Sequence, residues 1–292
     1  MDWSAIIQHI ESATQQPFRL LKAKPLTGGD INTAFQLQAE SRSFFVKLNS
    51  PDRLAMFEAE ALGLQALAQA QAIRVPKFIV SGKTSDHAFL VLEYIDLHNL
   101  NSRSEQLLGQ QLAQLHLQKQ AYFGWHRDNT IGSTTQVNGQ YHDWITIWQQ
   151  QRLGHQLTRA AAKGYGGRLQ TLGEKLCADL KPLFSGYQPQ PALVHGDLWR
   201  GNVAADEQGN PVIYDPACYF GDRETDVAMT ELFGGFSPAF YQAYQAAYPL
   251  APGYTNRKTL YNLYHILNHL NLFGRSYLHQ AENMIDTLLA DL

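Results

Sequence analysis

Leu193-Val194-His195-Gly196-Asp197-Leu198-Trp199-Arg200-Gly201-Asn202, followed by Val212-Ile213-Tyr214-Asp215-Pro216, is the stretch on which the fold turns. It spaces three oxygen-bearing side chains, Asp197, Asn202 and Asp215, at offsets of five and thirteen residues. Phosphoryl transfer from Mg-ATP asks for this set: an Asp beside the attacking hydroxyl, an Asn five residues on, and a second Asp past a short hairpin. Asp197 is then the candidate catalytic residue, orienting the acceptor hydroxyl and taking its proton. Asn202 and Asp215 are candidate magnesium ligands, being hard oxygen donors. The bland alternative is a turn in which Asp caps a helix, with Asp215-Pro216 an ordinary loop dipeptide. The flanking pattern weighs against it. Ala192–His195, Asn202–Ala205 and Pro211–Tyr214 read as short apolar strands. Asp206-Glu207-Gln208-Gly209-Asn210 reads as a hairpin turn between the two metal-ligand candidates.

The rest of the chain suits an enzyme of one large or two modest domains. Its 292 residues are 45% hydrophobic and 17% charged, a globular composition. A formal net charge of −3, with no block of like charges, leaves no footprint for nucleic acid. No apolar run approaches a membrane span, and Met1-Asp2-Trp3-Ser4 lacks the basic start of a signal peptide. Two cysteines, Cys177 and Cys218, are too few for a disulfide framework. A cytoplasmic monomer is the expectation. Up to residue 96 the chain shows strand-like runs and one amphipathic helix. Beyond it helical patterns dominate, apart from the hairpins of the motif.

Within the first part, Pro25 to Leu37 reads as strand, glycine turn, strand. Gly28 and Gly29 would let backbone N–H groups approach phosphate oxygens. The turn is neither a Walker A loop nor a full G-x-G-x-x-G. It precedes Phe44-Phe45-Val46-Lys47-Leu48, whose Lys47 is a candidate for the α/β-phosphates, paired with a Glu from the next helix. That helix is Met56 to Leu67. Its Glu58 and Glu60 point about 200° apart, so only one can face Lys47. Val75–Val80 and Ala88–Ile95 follow as strands. Glu93, Tyr94 and Ile95 then sit, by order along the chain, where a hinge would offer backbone groups to adenine.

In the second part Gln106–Gln118 reads as a helix with Leu108, Leu112 and Leu115 on one stripe. His116 reads as a packed histidine and His195 as a brace of the catalytic loop. Phe123 to Thr130 reads as an aromatic, polar loop, either of the kind that suits sugar recognition or one anchored by its own aromatic residues. Trp199, two residues past Asp197, is placed to wall the acceptor cleft, and Arg200 is left open between phosphate and an acid. Asp222, Glu224 and Asp226 read as a solvated acidic loop, with Asp226 as N-cap of a helix through Leu232. His265 and His269, four apart, read as a core helix face, for want of a third metal ligand.

Lys47, Glu60, His195-Gly196-Asp197, Asn202 and Asp215, in that order, resemble the aminoglycoside and choline kinase branch of the protein-kinase-like fold. The detail is closer to the fructosamine kinases, or ketosamine-3-kinases. Gly28 to Asn32, Phe45 to Asn49, Met56 to Glu60, Asp128-Asn129-Thr130-Ile131-Gly132-Ser133-Thr134, Gln151 to Gly154 and His195 to Asn202 carry the likeness, with Tyr214 to Ala217 and Gly221 to Glu224. The resemblance implies an α+β, two-lobed fold. Residues 1–96 would form a nucleotide-binding lobe of antiparallel sheet plus helix, and 97–292 a mainly helical catalytic and acceptor-binding lobe. It implies ATP and Mg2+, and phosphorylation of the 3-hydroxyl of ketosamines, small or protein-bound, with ribulosamines and erythrulosamines favoured over fructosamines. The product sheds its sugar, which makes the reaction a deglycation repair. In related small-molecule kinases the paired Glu lies seven residues before a leucine, favouring Glu60. The family likeness also gives Asn129 and Thr130 an acceptor-side role. Asp30 stands where several members carry Cys, so redox control by a loop disulfide is not expected. Rival readings are another small-molecule kinase of this fold, or an inactive nucleotide-binding module. The absence of D-F-G and A-P-E argues against a protein Ser/Thr kinase.

Overall fold

Five strands, β1 (Lys22–Leu26), β2 (Thr33–Gln38), β3 (Ser43–Asn49), β4 (Phe78–Lys83) and β5 (Ala88–Glu93), pair antiparallel in the order β1-β2-β3-β5-β4. The computed structural model describes residues 2–27 and 31–292. Gly28 and Gly29, with the phosphate contacts expected of them, lie outside the described residues. Side-chain parity decides what the sheet does. Phe44, Val46 and Leu48 join Phe89 and Val91 against Ile6 and Ile10 of α1 (Ser4–Thr14), forming a small core. Lys47 has the other parity. It pairs across from Leu90, on the face where Leu90 and Leu92 meet Phe57, Leu64 and Leu67 of α2 (Leu54–Ala70). β5 is therefore covered on both faces, which accounts for its unbroken apolar run.

Two departures from expectation have local causes. The first part holds a second helix, α1, whose brief apolar pattern is easily missed. β4 begins at Phe78, three residues later than the apolar run, because Pro76 has no N–H to offer a ladder. A register shift between Phe78 and Val80 follows.

β5 ends at Glu93, and the chain crosses to α3 (Ser102–His116). Along the way His98 and Ala205 exchange backbone hydrogen bonds of 2.8 and 2.9 Å. Asn101 and Ser104 form a capping box that starts α3 at Ser102, four residues ahead of the expected Gln106. The aromatic loop expected at 123–130 instead contains strands. β6 (Phe123–Trp125), β9 (Gly139–Tyr141), β10 (Ala192–Val194) and β13 (Tyr219–Gly221) form a sheet in the order β10-β13-β6-β9. β7 (Asn129–Ile131) pairs with β8 (Thr134–Gln136), and β11 (Val203–Ala205) with β12 (Pro211–Ile213). Three-residue strands are too short to show a period of two.

Helices complete the larger part. α4 (Trp144–Ile147) runs through a π-helical turn at Trp148–Leu153 into α5 (Gly154–Ala162). Gly154 permits that turn, since a Cβ there would lie 2.2 Å from Gln149 O. α5, α7 (Glu224–Leu232) and α10 (Leu278–Ala290) pack on α9 (Tyr254–Phe273), whose Leu260, Leu263, Ile266, Leu267 and Leu270 are fully buried, while α6 (Arg168–Ala178) packs on α5 and α10, and α8 (Pro238–Ala247) on α3. Among the described residues no helix is long and apolar enough to cross a membrane.

Candidate active site

The motif loop leaves β10 at Val194 and is held from below by one carboxylate. Asp226 accepts from the backbone N–H of His195 at 2.7 Å and of Gly196 at 2.8 Å. It is not the N-cap expected of it, lying inside the first turn of α7 with its side chain turned toward the loop. Burial alone would raise its pKa, but His116 and the backbone amides hold it below the usual carboxylate range. Arg223 donates to the Tyr244 hydroxyl at 2.9 Å. That leaves the hydroxyl proton for His116 Nδ1, at 2.8 Å, and His116 Nε2–H for Asp226, at 3.2 Å. Asp222 and Glu224 are equally buried, not solvated. Asp222 accepts from Tyr187 and Tyr261 at 2.8 and 2.5 Å, and Glu224 meets Arg257 at 2.7 and 3.0 Å.

Gly196 sits at φ +83°, and a Cβ there would lie 2.2 Å from Ala217 O, so only glycine fits this turn. His195 is fully buried. Its Nδ1 accepts from Asp197 N–H at 3.3 Å, so Nε2–H donates to Tyr214 O at 2.9 Å. Burial keeps this imidazole neutral. One ring therefore ties the loop carrying Asp197 to the residue preceding Asp215.

Asp197 is half-buried. Burial, and then the charge of Asp215, push its carboxyl up to about 7, while Asn202 opposes the shift. Asn202 Nδ2 donates to Asp197 O at 2.9 Å and Oδ2 at 3.2 Å. Its Oδ1 has no hydrogen-bond partner among the described residues. Asn202 O accepts from Tyr214 N at 3.1 Å, which brings the second carboxylate alongside. Asp215 adopts φ +57°, a left-handed state uncommon outside glycine, and its side chain is 45% exposed. One oxygen accepts from Lys47 Nζ at 2.6 Å, and Lys47 also reaches Glu60 at 2.7 Å. Burial disfavours the lysine charge, but the two carboxylates outweigh it and raise its pKa. Glu58 faces the other way, 3.5 Å from Arg127. β3, α2, the loop after β10 and the end of β12 thus bring five predicted residues together: Lys47, Glu60, Asp197, Asn202 and Asp215. Asn202 Oδ1 and the exposed carboxylate oxygen of Asp215 are the hard donors a magnesium-bound triphosphate takes. Among the described residues no cluster of three or more His, Cys, Asp or Glu could hold a metal by itself.

At the hinge, Glu93 is committed internally. Its N–H donates to Lys77 O at 2.8 Å, and its carboxylate meets Arg74 at 3.0 Å and Lys77 N–H at 3.1 Å. Arg74 also binds Asp206 of the β11–β12 turn at 2.6 Å. The backbone N–H groups of Tyr94 and Ile95 have no backbone partner among the described residues.

Of the residues expected on the acceptor side, Trp199 is 37% exposed and edge-on to Phe233, with ring centroids 6.1 Å apart. Phe233 lies 4.8 Å from His269. Arg200 turns away, to Glu105 at 3.1 Å and Gly235 O at 3.3 Å. Asn129 is buried, and its side chain is spent on Cys218 O, Gln136 and Asn138. Thr130 is half-buried beside it. His265 is buried on α9, and that burial pushes its pKa down to about 3.

The family profile described as fructosamine kinase matches residues 2–291. A Synechocystis sp. protein provisionally named a ketoamine kinase is 48% identical over 288 residues, covering 98% of this chain and 97% of that one. The Arabidopsis thaliana chloroplastic protein-ribulosamine 3-kinase is 42% identical over 275 residues, covering 93% and 83%. A Haemophilus somnus crystal structure, provisionally named fructosamine-3-kinase, superposes with a TM-score of 0.90 at 31% identity, covering 98% and 97%. A thermostable mutant of an aminoglycoside phosphotransferase superposes at 0.63 with 15% identity, covering 98% of each chain, a likeness of fold alone. The architecture is the two-lobed protein-kinase-like fold, and the chain belongs to the fructosamine kinase family.

Proposed function

We propose that this protein is an ATP-dependent kinase that phosphorylates the 3-hydroxyl of ketosamines, with ribulosamine, erythrulosamine or fructosamine adducts of amines or lysines as its substrates. The observation that carries the reading is the meeting of two hydrogen-bonded sets, Asp197 with Asn202 and Lys47 with Glu60 and Asp215, joined through the Tyr214 N–H to Asn202 O bond, in a chain of this family. Asp197 accepts the proton of the attacking hydroxyl as the γ-phosphoryl group moves to that oxygen and ADP departs. A carboxyl pushed up to about 7 is matched to that task at neutral pH. Lys47, held cationic by Glu60, leaves Asp215 for the non-transferred phosphates. Asn202 and Asp215 would hold magnesium, which when bound neutralises phosphate charge. Most of the rate then comes from positioning and charge compensation, since phosphoryl transfer asks little covalent chemistry of the protein.

Adenine would lie against the free N–H groups after Glu93, between lobes that divide near residue 96. Trp199 would wall the acceptor cleft. Thr130 keeps an acceptor-side role in this reading, whereas Asn129 has no polar group left over. A cytoplasmic monomer completes it, resting on composition alone. The test is Mg-dependent ADP release with ribulosamine-, erythrulosamine- and fructosamine-lysine, alongside kanamycin and choline. Turnover on a ketosamine, lost in Asp197→Asn, supports the reading. Turnover on kanamycin or choline with none on any ketosamine overturns the substrate.

A further inference from the structure

The β7–β8 hairpin points its amides away from solvent, onto the segment between Asp215 and β13. Gln136 Nε2 donates to Ala217 O at 3.1 Å and to Asn129 Oδ1 at 2.9 Å. Gln136 Oε1 accepts from the Tyr264 hydroxyl at 2.7 Å. Asn129 Nδ2 donates to Cys218 O at 2.8 Å. Asn138 Nδ2 donates to Asn129 Oδ1 at 3.0 Å, and Arg152 to Asn138 Oδ1 at 2.8 Å. The Arg152 guanidinium lies 4.3 Å from the centre of the Tyr219 ring. All of these side chains are buried.

So many desolvated amides in one place need a reason beyond packing, because apolar residues would fill the space without their desolvation cost. A polar network whose members are paired makes its surroundings rigid. What it grips is specific. Ala217 N–H donates to His195 O at 2.9 Å, so this peptide is clasped by the Asp197 loop on one side and by Gln136 on the other. Two residues upstream is Asp215, in a left-handed backbone state that persists only where its neighbours over-determine it.

We propose that Gln136 and Asn129 are positioning residues. By holding the carbonyls of Ala217 and Cys218 they fix the carboxylate of Asp215 relative to Asp197. They thereby set the affinity for Mg-ATP and the rate of transfer, not recognition of the acceptor. The inference rests on reading Asp215 as a magnesium ligand. Its test therefore includes a measurement that needs no acceptor: Mg-dependent ATP binding by calorimetry on the full chain.

Gln136→Leu removes both donors at similar size. It is expected to weaken Mg-ATP binding about tenfold or more, as loss of a group that orients a metal ligand does. kcat should fall with it, while the ketosamine KM at saturating Mg-ATP stays within about twofold. Tyr264→Phe, which removes only the hydroxyl orienting Gln136, is expected to shift both the same way by about threefold. Thr135→Ala, on the exposed side of the same hairpin, should change neither. If Gln136→Leu does not fold, Tyr264→Phe decides. Folded variants with unchanged Mg-ATP affinity and kcat, or a loss confined to ketosamine KM, overturn the proposal. Should the wild-type protein bind Mg-ATP and turn over no ketosamine, the substrate reading fails and the binding arm still decides this one.

Discussion

Asp197 carries an energetic conflict that can be read from outside. Its ordinary pKa of 3.8 is pushed up to about 7, first by burial and then by Asp215. Below about 4 the carboxyl is protonated in both folded and unfolded chains. Between about 4 and 7 the folded protein holds a proton that the unfolded chain has released, so this group's contribution to stability declines as pH rises and is lost above about 7. Asp197→Asn is therefore expected to raise the melting temperature at pH 8, with the gain shrinking toward pH 4. The same substitution should lower turnover by about 10²- to 10⁴-fold, the usual worth of a positioned base. In the wild-type protein kcat/KM for the acceptor should rise with pH through about 7, reporting the free enzyme. A flat kcat/KM between pH 5.5 and 8, or an Asn variant no more stable at pH 8, would sink this account of the residue.

At the scale of the element, α7 supplies more than packing. Asp226 accepts the backbone N–H groups of His195 and Gly196, in the turn that leads to Asp197, and one imidazole N–H. Asp226→Asn keeps the volume but exchanges one acceptor oxygen for a donor facing those groups. Displacement of the turn by about 1 Å would cost roughly 10² in kcat. Nucleotide affinity, which the proposed function assigns to Lys47 and Asp215, should change much less, and stopped-flow turnover alongside equilibrium ATP binding separates the two. Nothing in the local pattern announced this role: an acid near a helix start reads as a cap, and only the neighbouring chain shows where its oxygens point. The same limit hid β6, β7, β8, β9 and β13, whose pairing is long-range and whose length carries no periodicity. α2 and α3 were legible because a helix writes its buried face into its own sequence. Even there the box of Asn101 and Ser104 moved the start of α3 ahead of its apolar stripe.

Across the whole molecule, the candidate site joins a sheet residue, a helix residue and a loop 168 positions away in sequence, through the two bonds of Lys47. A ligand bound across that junction favours the folded, closed chain. Mg-ATP at one hundred times its Kd should add about 2.7 kcal/mol of stability. Differential scanning fluorimetry would show this as a higher melting temperature. In Lys47→Met, which leaves two carboxylates facing each other without their cation, the same ATP concentration should produce little or no rise. A full rise in that variant would place the nucleotide elsewhere.

The chemistry was legible in the linear sequence because it depends on residue types at short, regular offsets. Asp197 to Asn202 spans one turn, and Asn202 to Asp215 one hairpin. The pairing of β3 with β5 then showed that a period of two turns Lys47 to the face opposite Val46 and Leu48. The tertiary structure alone decided which glutamate Lys47 meets, since Glu58 and Glu60 lie on one helix and differ only in what faces them. It alone showed that Asn129 is consumed by Cys218, Gln136 and Asn138, and that Asp226 reaches under the His195–Gly196 turn. A side chain's type states what bonds it can make, but its partners come from distant segments, and their arrival is a property of packing.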